Sequence, residues 1–331
     1  MKRENFIKSF HTALLLLFSF YSYGQNNDVD REINDGIKAF RRATVSFGID
    51  TSIYLRDVNG TIIIKRVYLA VGTGITFYLK SKLAPSIPCL ITAKHVIKNL
   101  SKIRIRFNEC DSLPINKYFG IEYRLDFPDG TRNWVAHPDS TVDLVCILLD
   151  STINNSNLSS LSVLPYRYFP DVNDYFEGKE IFTLGYPTAI GYELLNRAVL
   201  RRGIISWLPM EMKKENKFFL VDCSIFPGNS GGPIFSLPKN FGYVLSDTIL
   251  QKPKFLGIVT QRRFSNQPLI SDNGQNVYDG QGNLIYSQES VGIGVVEPAF
   301  KVQELLATVQ AYVDKLENEY LKETEKKVNK R

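Results

Sequence analysis

Chemistry in this chain concentrates between Leu220 and Phe235, where Ser230 stands in Phe226-Pro-Gly-Asn-Ser-Gly-Gly-Pro-Ile234 between two apolar runs. Gly228 can adopt dihedrals closed to other residues. A turn built this way can aim the amides of Gly228 and Ser230 at one point, where an oxyanion would form. Gly231 and Gly232 keep the floor clear of side chains, and Pro233 stiffens the exit into the next strand. The competing account is a polar turn between strands, which turn chemistry alone would give. The serine account gains weight only if a base and an orienting acid are found.

A serine hydroxyl is a poor nucleophile at neutral pH and needs a base within hydrogen-bond reach, with a third group to orient that base. Three histidines are present. His11 lies in a segment expected to be removed, and His137 sits in a loop-like context before Pro138, where a structural role is expected. His95 follows the apolar run Cys89–Ala93 and is the expected base. Asp143 opens Asp143-Leu-Val-Cys-Ile-Leu-Leu149, a run short enough to be a core strand. A carboxylate there implies a partner, because burying it alone is costly. Asp139 is the competing acid, but it belongs to a polar turn.

Leu90-Ile-Thr-Ala-Lys-His-Val96, the Asp143 run and Phe226-Pro-Gly-Asn-Ser-Gly-Gly-Pro-Ile234 together resemble the trypsin/chymotrypsin clan of serine peptidases. The order His, Asp, Ser is that of the clan and differs from subtilisins and α/β-hydrolases. Closer likeness is to bacterial Deg-type members, through Glu177–Pro187, Arg202–Ser206, Val221–Ile225, Leu256–Thr260 and Val291–Pro298. The resemblance covers about residues 43 to 300. It implies an all-β fold of two six-stranded antiparallel β-barrels of the chymotrypsin type, with a short N-terminal helix and a C-terminal helix. It also implies a catalytic set of His95, Asp143 and Ser230, an oxyanion hole from Gly228 and Ser230, and a substrate-binding wall of Thr260, Gln261 and Arg262. Ser224 falls at the floor of the primary pocket by family register. With no carboxylate on that floor, a small or medium apolar side chain is expected before the scissile bond. Two departures stand out: no Ile-Val-Gly-Gly-like activation site is visible, and the 31 residues after 300 are too few for the PDZ domain usual in Deg-type proteases.

The elements that position these residues can be read along the chain. Lys2, Arg3 and Lys8, the apolar run Ala13–Phe20 and small residues at Ser22 and Gly24 make residues 1–24 a secretory signal peptide, cut before Gln25. The apolar run is too short to span about 30 Å of hydrocarbon, so no stable membrane anchor is expected after processing. The mature chain is expected in the periplasm or medium. Residues 25–42 form an N-terminal helical segment, with Val29, Ile33, Ile37 and Phe40 at helical spacing. From Ala43 the period drops to two, and Val58-Asn59-Gly60-Thr61 signals a hairpin turn. A first barrel is expected over 43–150, a Ser/Asn/Pro-rich linker over 151–175 and a second barrel over 176–298. Insertions at Ser236–Lys254 and Ser265–Ser290 leave strands that border the cleft in the clan, and the second is expected to restrict access. Residues 299–331 form a C-terminal helix and basic tail, with Val302, Leu305, Leu306, Val309, Val313, Leu316 and Tyr320 at helical spacing. Packing against the second barrel is its expected role, and homo-oligomerisation through this helix is the alternative.

Composition fits a compact enzyme: 331 residues, 44% hydrophobic, with a net charge of +6 spread through the chain. No bases interleave with aromatics as a nucleic-acid groove requires; a peptide or protein substrate is what the resemblance to serine peptidases implies. Cys89, Cys110, Cys146 and Cys223 could form two bridges. Three of them lie in apolar runs, where a free thiol packs as a small hydrophobe, so most are expected unpaired. No metal and no cofactor are expected. The functional expectation is an exported serine endopeptidase working through an acyl-enzyme. The alternatives are an inactive protease-fold binding module and an esterase-type acyl hydrolase.

Overall fold

The computed structural model describes residues 34–56, 60–108, 118–126, 131–149, 162–188, 197–211, 218–237 and 253–328. Residues 1–24, Cys110, most of the first insertion and residues 151–161 of the linker lie outside this set.

The first half follows a helix, α1, over residues 34–43. Its strands are β1 (Thr44–Arg56), β2 (Ile62–Leu79), β3 (Ile87–Ala93), β4 (Lys102–Asn108), β5 (Tyr118–Arg124), β6 (Trp134–Ala136) and β7 (Leu144–Leu148), with a four-residue helix α2 (Lys94–Ile97) after β3. They form one antiparallel sheet in the order β5-β4-β1-β2-β3-β7-β6. This half-barrel of seven strands stands where the family resemblance implies a closed barrel of six. The alternating stretch after Ala43 forms two long arms, β1 and β2, paired from Thr44↔Ile75 to Arg56↔Ile62. β3 and β7 are buried almost throughout, which explains their unbroken apolar sequences.

The second half is a closed six-stranded barrel in the order β10-β13-β12-β11-β8-β9. Its strands are β8 (Glu180–Gly185), β9 (Val199–Trp207), β10 (Phe219–Asp222), β11 (Pro233–Ser236), β12 (Lys254–Pro268) and β13 (Tyr286–Pro298). The 265–290 insertion is the outward continuation of the β12–β13 hairpin. Its ladder runs to Pro268↔Tyr286, with bridges Ile270↔Asn276 and Tyr278↔Leu284 beyond.

A shared core joins the halves. Phe40 of α1 stacks on Phe235 with ring centroids 4.1 Å apart, and Phe255 lies edge-on to Phe77 and Phe169. Buried Leu164, Tyr168 and Phe169 place the second part of the linker inside this core. The final helix, α3 (Ala299–Val328), buries Val302, Leu305, Leu306, Val309 and Val313, while Leu316 and Tyr320 are exposed. It packs on more than the second barrel, touching β7 as well as β12 and β13. Gln310 also exchanges hydrogen bonds with both main-chain groups of Lys80, and Glu317 accepts from Ser81 and Lys82. Cys89, Cys146 and Cys223 are buried free thiols. None of the described helices is long and apolar enough to cross a membrane.

Candidate active site

The pairing of β3 with β7 brings the base to the acid. Ala93 lies opposite Leu144, so the residues just past one strand and just before the other meet. His95 Nδ1 lies 2.6 Å from Asp143 Oδ2, and the His95 amide donates to Asp143 Oδ1 at 3.0 Å. The Lys94 amide donates to the Asp143 carbonyl, also at 3.0 Å. Imidazole and carboxylate are therefore held by main chain as well as by each other. The expected burial of Asp143 is incomplete: its side chain is 18% exposed and that of His95 40%, so both face a surface from which a substrate can approach. Asp139 instead caps its own turn, its Oδ1 accepting from the amide and hydroxyl of Thr141.

His137 has the structural role expected of it. Its side chain is 1% exposed, Nε2 faces a Glu304 carboxylate oxygen at 3.3 Å, and Nδ1 accepts from the Asp139 amide. Burial, then the charge of Lys301, lowers its pKa and keeps it neutral.

Ser230 lies half-buried in the loop between β10 and β11. That loop belongs to the second half but is fastened to the first. The Thr73 amide donates to the Ser230 carbonyl and the Thr73 hydroxyl to the Gly228 carbonyl, each at 2.7 Å. A methyl added at Gly72 would lie 2.5 Å from Val96 Cγ1 and 3.3 Å from the Ser230 carbonyl oxygen. One point of β2 therefore borders both Ser230 and the residue after His95. Among the described residues the Ser230 hydroxyl makes no hydrogen bond, so the link from His95 to Ser230 is one of neighbourhood. Such bonds are often long in unliganded hydrolases.

Two glycines in the loop are dictated by its shape. Gly228 has φ +91° and Gly231 φ +87°; a Cβ would fall 2.1 Å from the Tyr186 carbonyl oxygen at the first and 1.8 Å from that of Thr73 at the second. The amides of Asn229, Gly231 and Gly232 donate to Phe226, Val259 and Asn229 carbonyls. Those of Gly228 and Ser230 have no acceptor among the described residues. Two free donors on alternate residues suit an anion better than a plain turn does.

The residues expected to bind substrate differ in exposure. Ser224 and Gln261 are exposed, and the Arg262 guanidinium lies 4.2 Å from the Phe264 ring centroid. Thr260 is 1% exposed and its hydroxyl points to the Val295 carbonyl at 3.5 Å. Its side chain is therefore packed inside, at the end of a stretch of β12 that is buried on both faces from Phe255 to Thr260, beside a register shift between Val259 and Gln261. Two residues not singled out from sequence matter here: Thr73, and Glu297 near Asp143. The signal for Glu297 was a single carboxylate in the apolar run ending at Pro298.

The family pattern described as trypsin-like peptidase domain matches residues 72–240. The chain belongs to that family. The matched stretch starts at the β2 residues that hold the serine loop and includes His95, Asp143 and Ser230. The chain is also similar to the crystal structure of the apo MamO protease domain from Magnetospirillum magneticum. Identity is 12% and the TM-score 0.36, over 80% of this chain and 96% of that one. Among curated proteins no match was found.

Proposed function

We propose that this trypsin-like peptidase-domain protein is an exported serine endopeptidase. The observation that carries the reading is the His95–Asp143 pair at 2.6 Å, held by two further main-chain bonds beside the Ser230 loop. His95 takes the hydroxyl proton of Ser230 as its oxygen attacks a peptide carbonyl, and Asp143 holds the imidazole tautomer and balances its charge. The free amides of Gly228 and Ser230 receive the oxyanion. The proton then passes from His95 to the leaving amine, and water releases the acyl group by the reverse sequence.

The test is labelling of folded protein by a fluorophosphonate, together with a peptide-library cleavage profile of wild type and Ser230→Ala. Labelling and amide cleavage that both vanish in S230A are expected. Turnover of esters without matched amides would favour an acyl hydrolase, and no labelling at all would favour a binding module. A strong requirement for Lys or Arg before the cut would contradict the apolar preference drawn from Ser224.

A further inference from the structure

The turn over residues 137–143 joins β6 to β7 and ends on Asp143. Its base is closed by the His137 amide, which donates to the Leu144 carbonyl at 3.0 Å. Inside it the Val142 amide donates to the Asp139 carbonyl, and from outside Lys94 Nζ donates to the Ser140 carbonyl at 3.3 Å. The His137 ring makes a further inner bond, its Nδ1 accepting from the Asp139 amide at 3.1 Å. A nitrogen that accepts carries no proton, so the proton of the neutral imidazole sits on Nε2. Nε2 faces Glu304 Oε2 at 3.3 Å, and the same oxygen accepts from Lys301 Nζ at 3.2 Å. The His137 side chain is only 1% exposed, so these neighbours stand where water would otherwise be. A run of polar contacts thus leads from α3 through one buried ring to the turn that delivers Asp143 to His95.

Building on the triad reading above, we propose that His137 is a positioning residue: in its Nε2–H tautomer it shapes the turn that carries Asp143, and Glu304 of α3 selects that tautomer. A proton on Nδ1 would meet the Asp139 N–H head-on, and an inner bond of the turn would be lost. The charged groups that face the ring are Asp139 from its own turn and Lys301 and Glu304 from α3. Burial first, then the Lys301 charge, favours the neutral ring, against the pull of Glu304 and Asp139. The acid is sensitive to its turn because its contact with His95 Nδ1 spans 2.6 Å. A shift of about 1 Å takes such a contact out of hydrogen-bond range.

The experiment uses NMR of 15N-labelled Ser230→Ala protein, alone and with His137→Asn or His137→Leu, together with kcat and KM of the two His137 variants in the protein that keeps Ser230. Asparagine keeps an oxygen that can accept from the Asp139 amide, and leucine does not. At pH 7 the ring of His137 is expected to show a bare Nδ1 and a protonated Nε2. The His95 Nδ1 proton, deshielded by its short bond to a carboxylate, should stay far downfield with H137N and move upfield with H137L. The kcat of H137L should fall at least about tenfold below that of H137N, with KM alike. A protonated Nδ1 on His137, a His95 proton unmoved in H137L, or equal kcat in the two variants overturns the proposal. Should the protein cleave nothing, the function reading fails while the two NMR signatures still decide the role of His137. If H137L does not fold, Glu304→Leu at a half-exposed position decides: the His95 proton moves upfield there too, and an unmoved one overturns the proposal.

Discussion

Thr73 and Gly228, 155 residues apart in the chain, are joined by a 2.7 Å hydrogen bond from the threonine hydroxyl to the glycine carbonyl. The same hydroxyl accepts from the Tyr186 amide at 3.2 Å, and the Thr73 amide holds Ser230. The serine loop is thus shaped by a residue of the opposite half, and its geometry depends on how the halves dock.

Replacing Thr73 by valine keeps the shape but leaves the Gly228 carbonyl and the Tyr186 amide without the hydroxyl. We expect a loss of about 1–3 kcal/mol in urea unfolding and slower fluorophosphonate labelling of Ser230. Thr73→Ser should restore most of both. Equal labelling rates in wild type and Thr73→Val would show that the hydroxyl does not shape the loop.

Gly228→Ala puts a methyl 2.1 Å from the Tyr186 carbonyl oxygen at a φ of +91°. The loop must move, and one of the two free amides moves with it. We expect kcat to fall by roughly a hundredfold or more, as when one oxyanion donor is lost, with the circular dichroism spectrum unchanged. Unaltered kcat would mean that this amide does not meet the oxyanion.

The pH dependence of stability provides a third check. The Glu297 carboxyl, raised to about 7 from 4.5 by burial, binds its proton more tightly in the folded chain than in the unfolded one. Unfolding releases that proton between about pH 4.5 and 7, so stability contributed here is present at low pH and lost as pH rises through the window. A rise of this size corresponds to at most about 3 kcal/mol. Glu297→Gln does not titrate, so the variant should gain on wild type by up to that amount between pH 4.5 and 8 in urea unfolding. A difference that stays constant across this range would contradict the raised carboxyl.

How much of this was legible in the sequence depends on how local each feature is. Ser230, His95 and Asp143 stood out because each sits in a short string whose residue types serve both the strand and the chemistry. The glycines around Ser230 were legible for the same reason. Thr73 was hidden: its role is set by carbonyls more than 150 residues away, and a threonine in a strand is unremarkable in isolation. The burial of the Thr260 side chain was not legible, because β12 is buried on both faces from Phe255 to Thr260 and alternation there marks no inner side. The first half was read as a closed barrel from family likeness, yet closure depends on which strand edges meet, which alternation does not encode. For α3 the apolar spacing gave the helix and its buried stripe. Its reach to Lys80–Lys82 lies in Gln310 and Glu317, two polar residues that look like ordinary surface.

Those contacts also set a timetable for assembly. Gln310 meets the main chain of Lys80 across 230 positions of sequence, so a ribosome delivers the partner long after the turn that needs it. Until then the turn after β2 has unmet main-chain groups, and the apolar face under Leu305 and Val309 stays wet. A polypeptide interrupted before α3 therefore lacks the piece that seals both halves, and contacts this distant in sequence are of the kind that slows folding.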